Sequence, residues 1–286
     1  MAILLGNQNS ARWRAETTRG TAGAGGWTSV GFMTGGSIDI SEEVQLREGI
    51  GGQVQQRGGL INPEASLTIM VQSKTLLLKA IRASYPAGAL APFSIEVGNS
   101  GSGGKGYGLL GAVVNSLGVS VAVGDALSVD LGLTGMEYEE HGSAAVHALL
   151  SGDVMEWYNA DATIASTDYK ARSISISLDN VDQREATLKA PGSGQLRKYD
   201  DFGIGVEKVT ASYSLLAPFP FAPADALSSV AASAVFTNAS GETGDAVTFT
   251  LANMVRASMS APLEAGDSVW EFGLELIGKP ESLTIT

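Results

Sequence analysis

The chain contains no cysteine among its 286 residues, which excludes disulfide frameworks, thiolate metal sites and cysteine nucleophiles. Histidine is nearly absent as well, since only His141 and His147 occur and neither stands in a metal-binding spacing. Adjacent carboxylates such as Glu139 and Glu140 would face opposite sides of a strand, and the chain has no Gly-x-Ser-x-Gly nucleophile motif. We therefore expect no catalytic residues, no metal site and no cofactor, and the protein is not predicted to be an enzyme.

Positive charge is scarce. The 18 Lys and Arg residues are outnumbered by 30 Asp and Glu residues, which leaves a net charge of −12. A protein that grips nucleic acid by neutralising phosphates needs the opposite balance. Charged residues make up only 17% of the chain, below the roughly 25% typical of soluble domains. We expect no specific DNA binding and an outer surface that is partly buried in an assembly.

Long apolar segments are also missing. The N-terminus offers only the short apolar run from Ala2 to Leu5, with no basic residue before it, so we predict no secretory signal. The charge-free run from Gly106 to Gly124 contains five glycines and is predicted to form two consecutive strands, with no insertion into a membrane. The glycine-rich run that ends at Lys105 lacks the phosphate-loop spacing, because Gly106 stands where Ser or Thr is needed.

Most of the chain alternates apolar and polar residues with a period of two, as half-buried strands do. The segments with this pattern are 37–41, 65–71, 93–97, 126–131, 173–178, 205–213, 246–251 and 269–276. Only two stretches have helical spacing. One is 73–83, with Ser73 placed as an N-cap, and the other is 224–233, which follows Pro220 and Pro223. The sequence therefore predicts a mainly β protein with two short α-helices.

These elements occur twice in the same order, about 140 residues apart, and the pairs Arg47-Glu48 and Arg184-Glu185 mark corresponding points. We predict two tandem domains of one fold. The first spans residues 1–143 with an N-terminal arm, residues 144–166 form a linker region, and the second domain spans residues 167–286.

A long loop is predicted after each Arg-Glu pair, over residues 48–63 and 185–201. Loops of this length on a small scaffold are usually functional or disordered. Both mix Gly with Gln, Lys or Arg, a composition that adapts to a neighbouring subunit and becomes ordered on contact. The predicted contact residues are Gln53, Gln55, Gln56, Arg57, Lys189, Gln195, Arg197 and Lys198.

Two segments carry a family resemblance. Ala15-Glu-Thr-Thr-Arg-Gly-Thr21 is similar to the Glu-Thr-Tyr-Gly-Thr-like opening of the tail tube (major tail) proteins of long-tailed bacteriophages. The closing segment 257–278, two predicted strands joined by a Gly-Asp turn, resembles the final strands of that family, and a variant of it stands at 118–135. The resemblance implies tandem copies of a tail-tube-like β-sandwich or barrel domain, each with one short flanking α-helix.

The resemblance also implies a function. Trimeric rings with pseudo-sixfold symmetry would stack head to tail into a hollow tail tube that conducts DNA into the host. The implied partners are further copies of the chain, tail completion and tail-tip proteins, and a tape measure protein inside the tube. The chain would be assembled in the host cytoplasm and reside in the virion tail. Because an acidic lumen lets DNA slide without binding, we expect carboxylates from both halves to line it, with candidates Asp39, Glu42, Asp130, Asp179, Asp182 and Glu271.

Two other interpretations stay open. A tube or tail-tip component of a related contractile or secretion apparatus would share the fold, although such tubes usually have single-domain subunits. An extracellular β-sandwich binding module is the second. The missing signal sequence and cysteines count against it.

Overall fold

A computed structural model describes residues 9–21, 23–48, 54–81, 90–99, 105–141, 153–180, 182–185, 201–204, 208–216, 229–238, 246–260 and 271–286. Most of these residues lie in strands, so the prediction of a mainly β fold is confirmed. The strands are β1 Asn9–Ala15, β2 Thr28–Ser29, β3 Phe32–Glu48, β4 Val54–Met70, β5 Phe93–Asn99, β6 Gly106–Ala122, β7 Ser128–Thr134, β8 Glu137–His141, β9 Met155–Ile164, β10 Thr167–Tyr169, β11 Ala171–Asp179, β12 Asp182–Glu185, β13 Asp201–Ile204, β14 Lys208–Leu215, β15 Val230–Asn238, β16 Val247–Ser260, β17 Phe272–Gly278 and β18 Leu283–Ile285. Two short 3₁₀ segments, Leu77–Ala80 and Pro280–Ser282, complete the described elements.

The central sheet has the antiparallel order β3-β4-β7-β6-β11-β14-β17-β16. One face of it is apolar, because every second residue of each strand points into the core. A single row of cross-strand neighbours illustrates this, and all its members are buried: Ile69, Val129, Val119, Ile176, Ala211 and Leu276. Apolar burial along such rows is the main source of stability for the sheet.

Two flanking sheets share this core. The first has the order β2-β1-β5-β6-β8 and the second the order β10-β9-β15-β16-β18. Phe93 and Ile95 of β5, like Phe236 of β15, are fully buried in the common hydrophobic cluster. The long strands β6 and β16 therefore each belong to two sheets, one at each end of the strand.

Both long strands bend where they leave one sheet and enter the next. The bend in β6 has Gly111 at φ 62°, and the bend in β16 has Asn253 at φ 55°. A Cβ on Gly111 would lie 2.8 Å from the backbone nitrogen of Gly20, so glycine is required there, whereas asparagine is among the residues that tolerate this conformation. The prediction of two consecutive strands over 106–124 is wrong, because β6 is one continuous strand that bends and takes part in two sheets.

The order of strand pairing is the same in β1–β8 and in β9–β18, which we call the first and second halves. In the first half Ala65 pairs with Leu133 and Leu67 with Leu131. In the second half Ala211 pairs with Leu276 and Tyr213 with Leu274, so apolar residues meet in the same register on the same face. Strand β11 pairs with β6 and so joins the two halves edge to edge.

The structure corrects both helix predictions within the described residues. Segment 73–83 contains the short 3₁₀ segment at 77–80, and the hydroxyl of Ser73 accepts a hydrogen bond from the backbone N–H of Thr75 at 3.4 Å. In segment 224–233, residues from Val230 onward belong to β15, and 224–228 lie outside the described residues. Small Ala and Ser side chains fit either period, and pairing with β9 and β16 decides in favour of the strand.

The first predicted loop is corrected in the same way, and a strand also occurs within the range of the predicted linker. Residues 54–63 of the loop 48–63 lie in β4 and pair with β3. Within the linker region 144–166, Met155–Ile164 forms β9, which pairs with β15. The limits of the two domains stay a prediction.

Candidate assembly surface

The face of the central sheet opposite the core is exposed and rich in hydroxyl groups; we call it the hydroxyl face. On it, cross-strand neighbours such as Ser120, Ser175 and Ser212 follow one another across successive strands. Serine and threonine residues of the hydroxyl face occur on every strand of the sheet except β17. They are Ser37, Ser66, Thr68, Ser116, Ser120, Ser128, Ser173, Ser175, Ser177, Thr210, Ser212, Ser214, Ser258 and Ser260, with Gly273 from β17.

Four of the predicted acidic residues lie on the hydroxyl face: Asp39, Asp130, Asp179 and Glu271. Two of them accept hydrogen bonds from neighbouring hydroxyls, Asp39 from Ser37 at 2.8 Å and Asp130 from Thr68 at 2.6 Å. Asp179 lies 3.7 Å from the ammonium group of Lys208. Sequence reasoning missed two further carboxylates on this face, Glu64 and Glu275, although their alternation with buried neighbours in β4 and β17 was a usable signal.

Glu42 is not on the hydroxyl face. It follows Ile38 and Ile40 at two-residue spacing in β3, so it lies on the core-facing side of the strand. Composition alone gives no register for β3 and so could not assign Glu42 to a face; that Glu42 lines a lumen stays a prediction. The backbone of Asp182 lies in β12, and its side chain is outside the described residues.

Glu271 is held by two donors. The Arg172 guanidinium donates to its carboxylate, and the Ser214 hydroxyl donates at 2.9 Å. These hydrogen bonds, with that from Arg172 the stronger, lower the pKa of Glu271 below its ordinary value. The carboxylate is therefore ionised throughout the neutral range, and it fixes Arg172 at this end of the hydroxyl face.

Two hairpin arms project from the central sheet. Strand β4 pairs with β7 only from Glu64 onward, so residues 54–63 extend beyond the sheet with β3 as their partner. At the usual rise per residue this first arm is about 30 Å long. The second arm is the pairing of β12 with β13, in which Arg184 lies opposite Phe202.

The arms contain some of the predicted contact residues. Gln55, Gln56 and Arg57 lie in β4, opposite Arg47, Leu46 and Gln45 of β3. The remaining ones, Gln53, Lys189, Gln195, Arg197 and Lys198, lie outside the described residues. Their role in contacts between subunits stays a prediction.

The central sheet ends in two strand edges. Within the described ranges, β3 pairs only with β4, and residues 255–260 of β16 pair only with β17. Each edge exposes an apolar side chain, Ile40 at 41% and Met259 at 45% of its surface. Unpaired edges with exposed apolar residues are prone to pair with another chain.

A buried carboxylate fixes the loop after β1 onto the bend of β6. Glu16 accepts hydrogen bonds from the backbone N–H of Gly20 at 2.8 Å, from that of Gly111 at 3.0 Å, and from the Ser94 hydroxyl at 2.6 Å. The guanidinium of Arg19 donates to the carbonyl of Gly111 at 3.0 Å. The segment 15–21 therefore provides hydrogen-bond partners for both the backbone N–H and the backbone carbonyl of Gly111.

Other kinds of site find little support. In the part of the chain that the structure describes, no group of His, Asp and Glu side chains has the arrangement of a metal site. Nor does any described helix have the length and apolar character needed to cross a bilayer. Lys105, at the end of the glycine-rich run, forms an ion pair with Glu140 of β8, and this hydrogen bond raises the pKa of Lys105.

The model of the phage tail tube protein family matches residues 6–269 of the chain. The match covers the first half, the β6–β11 joint and the second half through β16, so the chain belongs to this family. It is a structural tail tube protein and a component of the virion tail, and the family assembles with itself and with other tail proteins. The chain matches none of the curated proteins with which it was compared.

We expect Glu16→Ala to lower the free energy of unfolding by roughly 2 to 4 kcal/mol, because it leaves buried N–H groups of Gly20 and Gly111 without an acceptor. Glu16→Gln keeps one acceptor oxygen and should cost less. Thr17→Ala, at the exposed neighbouring position, is the matched control and should be nearly neutral. Urea unfolding followed by circular dichroism measures all three, and equal stability of the Glu16→Ala and Thr17→Ala variants would refute the role of Glu16.

Proposed function

We propose that the chain forms trimeric rings, each with pseudo-sixfold symmetry, that stack head to tail into the hollow tail tube. The observation that carries the proposal is a row of antiparallel strands with one polar face and, among the described residues, a strand at each end that is paired on one side only. Such a sheet cannot satisfy its edge strands alone. Joining edge to edge around a ring pairs them and encloses the polar face.

The repeated pairing order supports a tandem duplication. Leu67 and Leu131 in the first half meet in the same register as Tyr213 and Leu274 in the second. Both long strands bend at a residue with positive φ, Gly111 and Asn253. Two copies of one fold in each chain would let three chains supply the six positions of a ring.

The hydroxyl face is the proposed lining of the lumen. Its carboxylates, among them Asp39 and Asp130, repel phosphates, and its short hydroxyl side chains present a smooth polar surface. A like-charged wall allows DNA to pass during ejection without being held. The chain itself would perform no catalysis and carry no cofactor.

The two hairpin arms are the proposed contacts between stacked rings. The first arm reaches about 30 Å from the sheet, and it carries Gln55, Gln56 and Arg57. Weak contacts made by each arm would add up only when a whole ring presents them together. Tail completion proteins, tail-tip proteins and a tape measure protein inside the tube are the other proposed partners, and the host cytoplasm is the proposed place of assembly.

Negative-stain electron microscopy of the concentrated protein tests the proposal. We expect rings and tubes with a central channel and threefold class averages. Compact particles without a channel at all concentrations would contradict the tube, and rings of six whole chains would contradict the duplication.

The soluble chain should show no measurable affinity for duplex DNA near physiological salt, because the hydroxyl face is open to solvent and carries carboxylates. Fluorescence anisotropy with a labelled duplex across a salt series measures this. Tight binding that weakens as salt rises would instead indicate phosphate neutralisation and would contradict the proposed lining.

Shortening the first arm should separate ring formation from stacking. Replacing residues 43–60 by a two-residue Asn-Gly turn keeps Glu42 opposite Ile61 and leaves every pairing of β4 with β7 in place. We expect the variant to fold and form rings but no tubes, as measured by sedimentation and microscopy. An insertion of Gly-Ser residues in the β9–β10 turn at Ala165–Ser166 is the control. Tubes of normal length from the shortened variant would rule out the arm as a stacking contact.

A further inference from the structure

The pairing of β6 with β11, which we call the internal joint, connects the first half to the second in a fixed register. Leu117 lies opposite Leu178, Gly118 opposite Ser177, and Ser116 opposite Asp179. If the halves are equivalent, as the proposed function requires, the joint between two chains must repeat the internal joint. The inference therefore rests on that function, and it adds the register in which strands of two neighbouring chains pair.

Equivalent residues can be assigned from the strand pairings alone. On the β6 side, Leu67 pairs with Leu131 and Leu131 with Leu117. In the second half, Tyr213 pairs with Leu274 and Leu274 with Met259. Met259 thus has the position of Leu117. A register shift follows at the same point in both strands, between Val114 and Ser116 and between Arg256 and Ser258.

The β11 side gives an equally definite assignment. Ile176 pairs with Ala211, and Leu178 with Val209, two residues earlier in β14. In the first half, Ile38 pairs with Ala65, and Ile40 with Pro63, two residues earlier in β4. Because Ala65 and Ala211 are equivalent through their partners Leu133 and Leu276, Ile40 has the position of Leu178.

Burial agrees with the assignment. Leu117 and Leu178 are each 1% exposed at the internal joint. Their equivalents are 45% exposed at Met259 and 41% at Ile40. Ile40 and Met259, exposed apolar side chains on the two edge strands, are residues that a second copy would cover in this register.

We propose that β16 of one chain pairs antiparallel with β3 of a second copy, with Met259 opposite Ile40, Ser258 opposite Ser41 and Ser260 opposite Asp39. The contact is heterologous, since each chain offers its β16 edge to one neighbour and its β3 edge to another. Contacts of this kind close into a ring when the rotation between copies returns to the start.

Charge complementarity favours the same register. Asn180 lies next to the internal joint, where its side-chain amide donates to the carbonyl of Val114 at 3.2 Å. By equivalence, Glu42 takes the place of Asn180 and Arg256 that of Val114. The joint between chains would therefore place Glu42 of one chain next to the position of Arg256 of the other, so that residues of opposite charge are neighbours across the joint.

Cysteine cross-linking tests the register directly, because the chain has no cysteine of its own. In assembled protein, the double variant Ser258→Cys with Ser41→Cys should be cross-linked by a short bis-maleimide, each of whose two double bonds adds one cysteine thiol, giving a closed covalent trimer on denaturing gels. Ser116→Cys with Asp179→Cys, the equivalent pair within one chain, is the positive control. Ser258→Cys with Asp39→Cys is shifted by two residues and should react at least tenfold more slowly, since diagonal neighbours stand about 7 to 8 Å apart.

The outcomes separate this inference from the function on which it rests. Rings in which the shifted pair cross-links faster would overturn the register and leave the tube intact. Absence of rings and tubes from the unmodified chain would overturn both.

A charge exchange gives a second test that does not depend on thiol chemistry. Glu42→Arg and Arg256→Glu should each raise the protein concentration needed for ring formation, and the combined variant should restore it toward the native value. If the two substitutions together raised the concentration needed for ring formation by their combined single effects, Glu42 and Arg256 would not be neighbours across the joint.

Discussion

The antiparallel pairing of β6 with β11 is the constraint on which the rest of the structure depends. It joins two sets of strands into one central sheet, so that an uninterrupted apolar row runs from Ile69 to Leu276 beneath both halves. Every backbone donor and acceptor of an interior strand is satisfied by a neighbour, which is impossible at a sheet's ends. Among the described residues, the interior strands of the sheet are paired on both sides. The strand β3 and residues 255–260 of β16 are paired on one side only.

The two faces and the two ends of the central sheet differ in their chemistry. The core face supplies stability through buried apolar area, and the opposite face carries hydroxyls and carboxylates that hydrogen-bond to one another. The bends at Gly111 and Asn253 let the same long strands cover the core from the other side. The low content of charged residues, 17% of the chain, fits a protein whose edges are covered by its own copies.

Strands with strict alternation could be predicted from sequence because burial on one face leaves a period of two, as in the segment around Ile174, Ile176 and Leu178. The arm at 54–63 could not, because its Gly residues have low strand propensity and its pairing with β3 is not encoded by a strict alternation of apolar and polar residues. The helix prediction is wrong at Val230–Ser233 for a related reason. Ala and Ser are compatible with both the helical and the strand period, and pairing with β9 and β16 selects the strand. The faces on which the acidic residues lie were only half predictable, because composition gives their charge but only the register of β3 places Asp39 and Glu42 on opposite faces.

The central claim is that β16 of one chain pairs with β3 of the next in the same way as β6 pairs with β11 within the chain. Cryo-electron microscopy of assembled tubes at side-chain resolution measures it most directly. The account predicts three chains per ring, the two halves superposed on six equivalent positions, and β16 lying against β3 of the next chain as β6 lies against β11. A ring of six whole chains, or halves at different distances from the tube axis, would contradict it.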